Sequence, residues 1–199
     1  MNSDALRAEA LRTFGQLLEQ ARAAGDPEPT AMTLATTDAD GRLSARVVLL
    51  KAHDERGFVF YTNTHSRKGR ALAAHRQAAL LFHWKTLRDQ VQVRIEGAVS
   101  PVSDAEADAY FASRPRESQL GAWASLQSEA LPDRAAFEAR YAHFARAYEG
   151  GEVPRPPHWS GYRLAPDAME FWYGVPYRLH DRHVYRCVDG VWTRGLLYP

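Results

Sequence analysis

The stretch YRLHDRHVYR, residues 177–186, concentrates side chains that could bind an anion. If this stretch is a strand, Arg178, His180 and Arg182 share one face, because successive strand side chains alternate between faces. Guanidinium and imidazole groups are natural partners of phosphate or carboxylate oxygens, and histidine can also change its charge near neutral pH. The pattern therefore predicts an anion-binding strand face near the end of the sequence.

Further basic residues stand beside small or hydroxylated residues in three other segments: SARVVLLK (44–51), YTNTHSRKG (61–69) and SRPRESQ (113–119). Arginine forks and hydroxyl groups suit phosphate oxygens, and a helix that starts at Arg67 and Lys68 would add backbone N–H groups. Alternation within the first segment would place Arg46 and Lys51 on opposite strand faces. The repetition favours phosphate binding over unrelated surface charges.

These residues need a scaffold, and the hydrophobic pattern indicates mainly β structure with helices. Short β-branched or aromatic runs are separated by turn sequences such as DADG, which is typical of antiparallel hairpins. Ser66 is a predicted N-cap, and Ser103 with Glu106 forms a predicted capping box. The pattern favours one domain, residues 1–199, built as an antiparallel β-barrel with helical decoration. Its predicted parts are an N-terminal helix (1–25), the main barrel strands (26–102), a helical insertion (103–150) and C-terminal strands (151–199).

The strands expected in the first half cover 31–37, 43–52, 58–63, 77–85 and 89–102. Those in the second half are expected at GYRLA, AMEFWYG, HVYRCV and VWTRG, after a helix over 133–149. Trp84 and Trp192 are expected to pack in the core, whereas Trp172 precedes the cationic stretch and could form an aromatic wall for a flat ligand.

Bulk properties narrow the class of protein. The 199 residues carry 25 Lys and Arg against 24 Asp and Glu, a formal net charge of +1. This balance argues against bulk binding to nucleic acid or to an anionic membrane, so cationic clusters must act locally. Short apolar runs and a single cysteine predict a cytoplasmic protein without a disulfide framework. His180 and His183 could supply two metal ligands, but the sequence favours no metal site.

Two long segments, SRPRESQLGAWASLQS (113–128) and FWYGVPYRLHDR (171–182), closely resemble the signature segments of the pyridoxamine 5'-phosphate oxidase family. ARVVLLK, FVFYTN, SRKG and QVQVRIEG also resemble the family pattern, in the same order. The resemblance runs from about residue 28 to the C-terminus. It implies a split β-barrel that forms a homodimer, with FMN in each of two clefts at the subunit interface.

The resemblance also implies roles for individual residues. The implied FMN contacts, some from the partner chain, are Arg46, Lys51, Tyr61, Thr62, Arg67, Lys68, Gln90, Gln127, Ser128, Trp172 and Arg182. The implied substrate contacts are Lys51, Tyr110, Arg114, Ser118, Arg178 and His180. Among these, Arg178 and His180 are the implied catalytic pair beside the flavin.

The implied reaction is oxidation of C4' of pyridoxamine or pyridoxine 5'-phosphate to pyridoxal 5'-phosphate. Hydride passes to FMN, O2 is reduced to hydrogen peroxide, and the amine substrate also releases ammonia. A flavin oxidase of another substrate, such as a phenazine precursor, and a non-catalytic flavin- or pyridoxal-phosphate-binding barrel remain alternatives. The chain departs from the family at Leu196, where arginine is usual. The sequence begins almost at the first helix, so the basic arm that often precedes this helix is expected to be missing or supplied otherwise.

Overall fold

A computed structural model describes residues 3–199, in which nine strands form one antiparallel sheet flanked by five α-helices. The helices are α1 (Ser3–Ala23), α2 (Arg67–Ala74), α3 (Asp104–Ala112), α4 (Arg116–Ala124) and α5 (Arg134–Ala147). The strands are β1 (Ala31–Thr37), β2 (Leu43–Leu49), β3 (Ala52–Asp54), β4 (Gly57–Asn63), β5 (Gln77–Trp84), β6 (Val91–Pro101), β7 (Trp159–Tyr173), β8 (Asp181–Val188) and β9 (Val191–Leu196). The predicted class, mainly antiparallel β with helices, is confirmed, whereas the division into four parts stays a prediction.

The sheet follows the order β2-β1-β5-β6-β7-β4-β3, and β8 and β9 extend it from β7. Short turns join the neighbours β1–β2, β3–β4 and β8–β9, so these pairs are antiparallel hairpins. In the first hairpin the DADG turn brings Thr37 opposite Leu43, and Gly41 adopts a φ of 78° that suits glycine. The predicted hairpin is therefore confirmed.

The main core lies between the curled sheet and α1. Phe14 of α1 is fully buried and makes edge-to-face contacts with Phe58 of β4 and Phe82 of β5, at centroid distances of 4.8 and 5.0 Å. Trp84 and Trp192 belong to the same core, as predicted. Truncation of a buried aromatic such as Phe14 to alanine typically costs about 3–5 kcal/mol, so this core anchors the first helix to the sheet.

Local helix signals also match the structure. The Ser66 side chain accepts a hydrogen bond from the backbone N–H of Gly69 at the start of α2, and the capping box of Ser103 and Glu106 is formed at the start of α3. Helix α4 was not predicted from the sequence. It begins directly after Pro115, without a side-chain cap, and the sequence there shows no strong apolar periodicity.

Strand β7 corrects one prediction. GYRLA and AMEFWYG were expected to form two strands, but they are halves of one 15-residue strand. A β-bulge lies between them: Pro166 pairs with Gly97 and Ala168 with Glu96, so Asp167 has no partner of its own. Tyr162 and Leu164 face the core before the bulge, and Met169 and Phe171 face it afterwards. Because of the extra residue, even-numbered residues face the core before the bulge and odd-numbered residues face it afterwards.

Two further expectations are wrong. Residues 177–180 are not part of a strand: Pro176–Arg178 form a 3-10 turn, with φ values of 60° at Tyr177 and 63° at Arg178, and β8 begins only at Asp181. Strand β2 also ends before Lys51, so the alternation that was expected to separate Arg46 from Lys51 does not extend across both.

No helix within residues 3–199 is long and apolar enough to cross a membrane. The same residues contain no convergent group of three His, Cys, Asp or Glu side chains that could hold a metal ion.

Candidate active site

The main cavity has a volume of about 790 Å³ and lies where α3 and α4 meet β2 and β4. Many predicted binding residues line it: Arg46, Lys51, Tyr61, Thr62, Lys68, Tyr110, Arg114, Ser118 and Gln127. Arg46 and Lys51 therefore meet in one cavity, contrary to the expectation of opposite faces. The lining within the described chain contains four cationic side chains and no carboxylate, which favours a strongly anionic ligand.

One side of the cavity is the start of α2. Lys68 Nζ lies 3.0 Å from Thr62 Oγ1 and 2.9 Å from Gln127 Oε1, so it joins α2, β4 and the loop after α4. A side chain on Gly69 would place its Cβ 2.1 Å from the backbone oxygen of Thr64, so glycine is needed for this close approach. Burial, and then the charge of Arg46, lower the pKa of Lys68. A bound phosphate would offset both effects.

Arg46 lies on β2, and its guanidinium contacts neutral groups. Its Nη1 donates to the backbone oxygen of Leu34 at 3.1 Å and to Thr36 Oγ1 at 2.8 Å, and its Nη2 donates to Ser44 Oγ. Burial lowers the pKa of Arg46, and the nearby charge of Arg67 lowers it further. Hydrogen bonds to three neutral oxygens hold this positive charge in place, and it has no carboxylate partner in residues 3–199.

Arg67 lies at the edge of this region. Its backbone N–H donates to Ser128 Oγ at 3.1 Å, which joins the helix start to the loop after α4. Its side chain lines a separate depression with Asp38 and Arg70 rather than the main cavity. The structure thus brings Arg67 and Ser128 together but leaves them outside the main cavity lining.

The opposite side of the cavity is an aromatic stack with an arginine beside it. The rings of Tyr61 and Tyr110 are stacked at a centroid distance of 4.0 Å, and Trp159 is nearly parallel to Tyr61 at 5.4 Å. The guanidinium carbon of Arg114 lies 4.8 Å from the centroid of Trp159 and 5.5 Å from that of Phe111. Sequence reasoning missed Trp159, because nothing in its local sequence indicates the stack.

Arg114 contains the one buried side-chain polar atom in residues 3–199 that lacks a hydrogen-bond partner, its Nη1. Burial lowers the pKa of this guanidinium. An unpaired buried donor is costly, and phosphate oxygens are good acceptors for it. Ser118 lines the same cavity and could share that ligand. The residues present therefore fit a phosphate group.

Arg116 was grouped with Arg114 on the sequence, but the structure separates them. Arg116 donates through Nη1 to the backbone oxygen of Gly151 at 2.7 Å and through Nη2 to that of Tyr148. It therefore joins α4 to the end of α5 and does not line the cavity.

The remaining predicted residues lie near the other end of β7. Trp172 pairs with Gln92 on β6 and with Arg182 on β8, and all three line a depression of about 210 Å³. Arg182 Nε donates to Glu170 at 2.8 Å, and this carboxylate is buried, with a side-chain exposure of 7%. Sequence reasoning missed Glu170, which holds Arg182 against the sheet.

His180 lies next to this depression, and Arg178 precedes it by two residues. The His180 ring is 4.4 Å from the Trp172 ring, and its Nδ1 accepts a hydrogen bond from the backbone N–H of Val175 at 3.2 Å. The neutral ring therefore carries its proton on Nε2, which can donate to a ligand. Arg178 is exposed in a left-handed backbone conformation that few non-glycine residues adopt.

Gln90 and Ser128 share that conformational feature, with φ values of 93° and 76°. Gln90 Oε1 lies 2.9 Å from His83 Nε2, and its backbone oxygen accepts from Gly174 N–H at 2.9 Å. Non-glycine residues at positive φ cost free energy and often mark binding sites. Three predicted ligand residues, Gln90, Ser128 and Arg178, show this conformation.

The two groups of residues are far apart along the chain that connects them. Trp159 in the cavity and Trp172 in the second depression are thirteen residues apart on β7. At about 3.3 Å per residue the strand path between them is roughly 40 Å.

Comparison with known proteins gives family matches over most of the chain. Residues 17–146 match the model described as pyridoxamine 5'-phosphate oxidase. Residues 159–199 match the model described as the pyridoxine 5'-phosphate oxidase C-terminal dimerisation region.

Curated relatives agree with these matches. Proteins named pyridoxine/pyridoxamine 5'-phosphate oxidase from Caulobacter vibrioides and Myxococcus xanthus are 58% and 56% identical, over 94% and 96% of this chain and 83% and 92% of their own lengths. One of the same name from Xanthomonas euvesicatoria is 56% identical over 98% of both chains.

Solved structures also resemble this fold. PhzG from Burkholderia lata, in complex with tetrahydrophenazine-1-carboxylic acid, matches with a TM-score of 0.83 and 37% identity, over 92% of this chain and 91% of its own. A pyridoxamine 5'-phosphate oxidase-related FMN-binding protein from Nostoc punctiforme matches with a TM-score of 0.73 and 18% identity, over 94% and 96%. The expected split-barrel fold is confirmed by these neighbours.

Proposed function

The chain belongs to the pyridoxamine 5'-phosphate oxidase family, and on that basis we propose that it oxidises pyridoxamine and pyridoxine 5'-phosphate to pyridoxal 5'-phosphate. O2 is the proposed acceptor and hydrogen peroxide a product, with ammonia released from the amine substrate. The observation that carries the proposal is the cavity with four cations, an aromatic stack and no carboxylate within the described chain. A flat heteroaromatic ring that carries a phosphate is complementary to that lining.

FMN is the proposed cofactor. Arg46 and Lys68 would bind its phosphate, since both hold a partly buried positive charge without a carboxylate partner in the described chain. Thr62 and Gln127, which already contact Lys68 or each other, would keep that cation in place. When bound, FMN would supply the two-electron acceptor for oxidation at C4' and pass the electrons to O2.

The substrate phosphate would contact Lys51, Arg114 and Ser118. The unpaired Nη1 of Arg114 would gain an acceptor, and the stacked ring of Tyr110 would close one side of the site. Specific binding of the distant phosphate would orient C4' toward the acceptor.

Arg178 and His180 are the proposed residues beside C4'. Because His180 Nδ1 accepts a backbone N–H, the ring can present the Nε2 proton to a substrate oxygen. The guanidinium of Arg178 would pack against the substrate ring and limit its motion.

A homodimer is part of the proposal. The strand path between Trp159 and Trp172 is roughly 40 Å, and the two groups line separate depressions, which favours contacts to one FMN from two chains. In a two-fold dimer, Trp172, Arg178, His180 and Arg182 of one protomer could complete the cavity of its partner. The match of residues 159–199 to a dimerisation region supports this arrangement.

A flavin oxidase of another substrate is the second candidate, and the similarity to PhzG favours it. The ligand in that structure's name is a carboxylic acid without a phosphate. The buried, unpaired donor of Arg114 and the neighbouring Lys51 support a phosphorylated substrate for this chain instead. A cytoplasmic location stays a prediction.

Purified protein tests these proposals directly. It should bind FMN, absorb in the visible range and release peroxide with pyridoxamine or pyridoxine 5'-phosphate. Protein that binds no FMN would contradict the cofactor. FMN-loaded protein that is inert with both vitamers but active on a non-phosphorylated heterocycle would support the second candidate. FMN-loaded protein that oxidises neither the phosphorylated vitamers nor a non-phosphorylated heterocycle would indicate a non-catalytic flavin-binding barrel.

Complementation tests the shared site. Lys68→Met and Arg182→Ala each damage a different half of the site, so each homodimer should lose most of its activity at an FMN concentration well below its raised Kd. When equal amounts of the two variants are refolded together, about half of the dimers contain one chain of each, and one of the two sites in such a mixed dimer is intact. Activity should therefore recover to about one quarter of that of the unsubstituted protein. If activity fails to recover although mixed dimers form, the shared site is wrong.

A further inference from the structure

Within residues 3–199, the guanidinium of Arg114 has no ion pair to orient it. It packs against the faces of Trp159 and Phe111, and its buried Nη1 has no hydrogen-bond partner in the same residues. Ring faces attract a cation but do not fix its rotation as a bidentate carboxylate does. The direction of Arg114 must therefore depend strongly on where its backbone is held.

That backbone is fixed at the end of α3. The N–H of Arg114 donates to the backbone oxygen of Phe111 at 3.2 Å. The last carbonyls of a helix lack intrahelical partners, so this turn needs additional donors. The structure supplies one: Gln119 Nε2 donates to the same oxygen of Phe111 at 2.9 Å and to that of Ala112 at 3.3 Å.

Gln119 is well placed to hold this turn. Its side chain is buried, with a residue exposure of 9%, and it does not line the cavity. Its own N–H donates to the backbone oxygen of Pro115 at 3.1 Å, and the N–H of Ser118 donates to that oxygen at 2.9 Å. One residue therefore connects the end of α3, the Arg114 turn and the first turn of α4.

We propose that Gln119 is a positioning residue, which sets the direction of Arg114 and so the affinity for the phosphate group of the substrate. This inference rests on the proposed function, because it takes Arg114 as a phosphate ligand. Gln119 acts through the backbone oxygen of Phe111 and touches neither substrate nor cofactor.

The test is Gln119→Met, which keeps the length of the side chain and removes the donor. FMN-loaded protein should show a KM for pyridoxamine 5'-phosphate raised about tenfold, with kcat and the Kd for FMN changed less than about twofold. Inorganic phosphate, measured as a competitive inhibitor, should lose affinity by a similar factor. Gln119→Asn keeps the amide donor on a side chain that is one methylene shorter, and it should show a smaller rise in KM. This variant also tests the inference if Gln119→Met does not fold.

Arg116→Met is the matched control. It also removes a donor on α4 that binds two backbone oxygens, but these belong to Tyr148 and Gly151 at the end of α5. It should lower the melting temperature without a selective rise in KM. The same rise in KM for Arg116→Met would overturn the inference, because any loosening of α4 would then suffice.

A double-mutant cycle completes the test. In an Arg114→Ala background, Gln119→Met should add less than about a twofold change in KM or in phosphate inhibition. Independent, multiplying effects would show that Gln119 does not act through Arg114. If the unsubstituted, FMN-loaded protein has no turnover at all, the proposed function fails; normal turnover with an unchanged KM in Gln119→Met refutes the positioning role alone.

Discussion

Lys68 Nζ lies 2.9 Å from Gln127 Oε1, although 59 residues separate the two in sequence. The contact joins the first turn of α2 to the loop after α4. Both residues line the main cavity, so this hydrogen bond, together with that from the Arg67 N–H to Ser128 Oγ, fixes the loop after α4 beside the proposed FMN phosphate site.

Lys68→Met should weaken FMN binding. The substitution removes a partly buried cation that has no carboxylate partner in the described chain, and we expect the Kd for FMN to rise about tenfold or more. Quenching of flavin fluorescence measures the change. Lys85→Met removes an exposed lysine at the end of β5 and serves as the control. Equal losses for both variants would mean that overall charge, rather than the position of Lys68, controls affinity.

At alkaline pH, the contributions of Lys68 to stability and to FMN affinity should change in opposite directions. The pKa of Lys68 is lowered by burial and by Arg46, so the unfolded chain holds this proton more tightly than the folded protein. The contribution of Lys68 to the free energy of unfolding without FMN should therefore rise as pH increases from the lowered pKa to the ordinary value of about 10.5. Buried tyrosines, whose pKa is raised by burial, contribute with the opposite sign in this range, so the contribution of Lys68 is the difference from Lys68→Met. FMN affinity should fall over the same window, because the phosphate needs the charged amine.

Urea unfolding and FMN titration at a series of pH values measure both slopes. Lys68→Met should remove the contribution of Lys68, so the slope of the free energy of unfolding should become less positive and that of FMN affinity should become flatter. Slopes that persist unchanged in the variant would assign the titration to another group.

Arg178→Ala should impair turnover far more than cofactor binding. We expect kcat to fall about a hundredfold if Arg178 orients the substrate, and the Kd for FMN to stay within about twofold. Steady-state peroxide release and flavin titration separate the two effects. Arg186→Ala, an exposed arginine on β8, should leave both unchanged. A parallel loss of FMN in Arg178→Ala would place Arg178 in the cofactor site instead.

Gly174→Ala should disturb the loop that holds Gln90. The new Cβ would lie 2.4 Å from the backbone oxygen of Asp89 and 3.0 Å from Gln90 Cγ, so the loop must move. We expect the free energy of unfolding to fall by about 1–3 kcal/mol, and FMN to bind more weakly. Gly151→Ala is the control, since a Cβ there meets no atom within 4 Å. Normal FMN affinity in Gly174→Ala would contradict a flavin contact from Gln90.

Several features could be predicted from the sequence because they depend on local chemistry. The Ser66 cap, the capping box of Ser103 and Glu106, and the hairpin closed by Gly41 each need only residues close in sequence. The family resemblance extended this to the residues that line the cavity.

Other features depend on tertiary contacts and could not be predicted. The four residues Tyr177–His180 alternate polar and apolar like a strand, but the turn at Pro176 removes them from the sheet. Arg116 looks like a phosphate ligand in sequence, and only the position of α5 shows that it binds backbone oxygens there. The contribution of Gln119 likewise depends on the meeting of α3 and α4.

The bulge at Asp167 has a consequence for insertions and deletions in β7. Side chains change face with every residue, and the unpaired Asp167 interrupts that alternation once. Its removal would leave Pro166 and Ala168 opposite Gly97 and Glu96 in an unbroken ladder, with Met169 and Phe171 still facing the core. Loss of a second residue there would instead shift the alternation, so that Glu170 and Trp172 turn into the apolar core and Met169 and Phe171 turn outward.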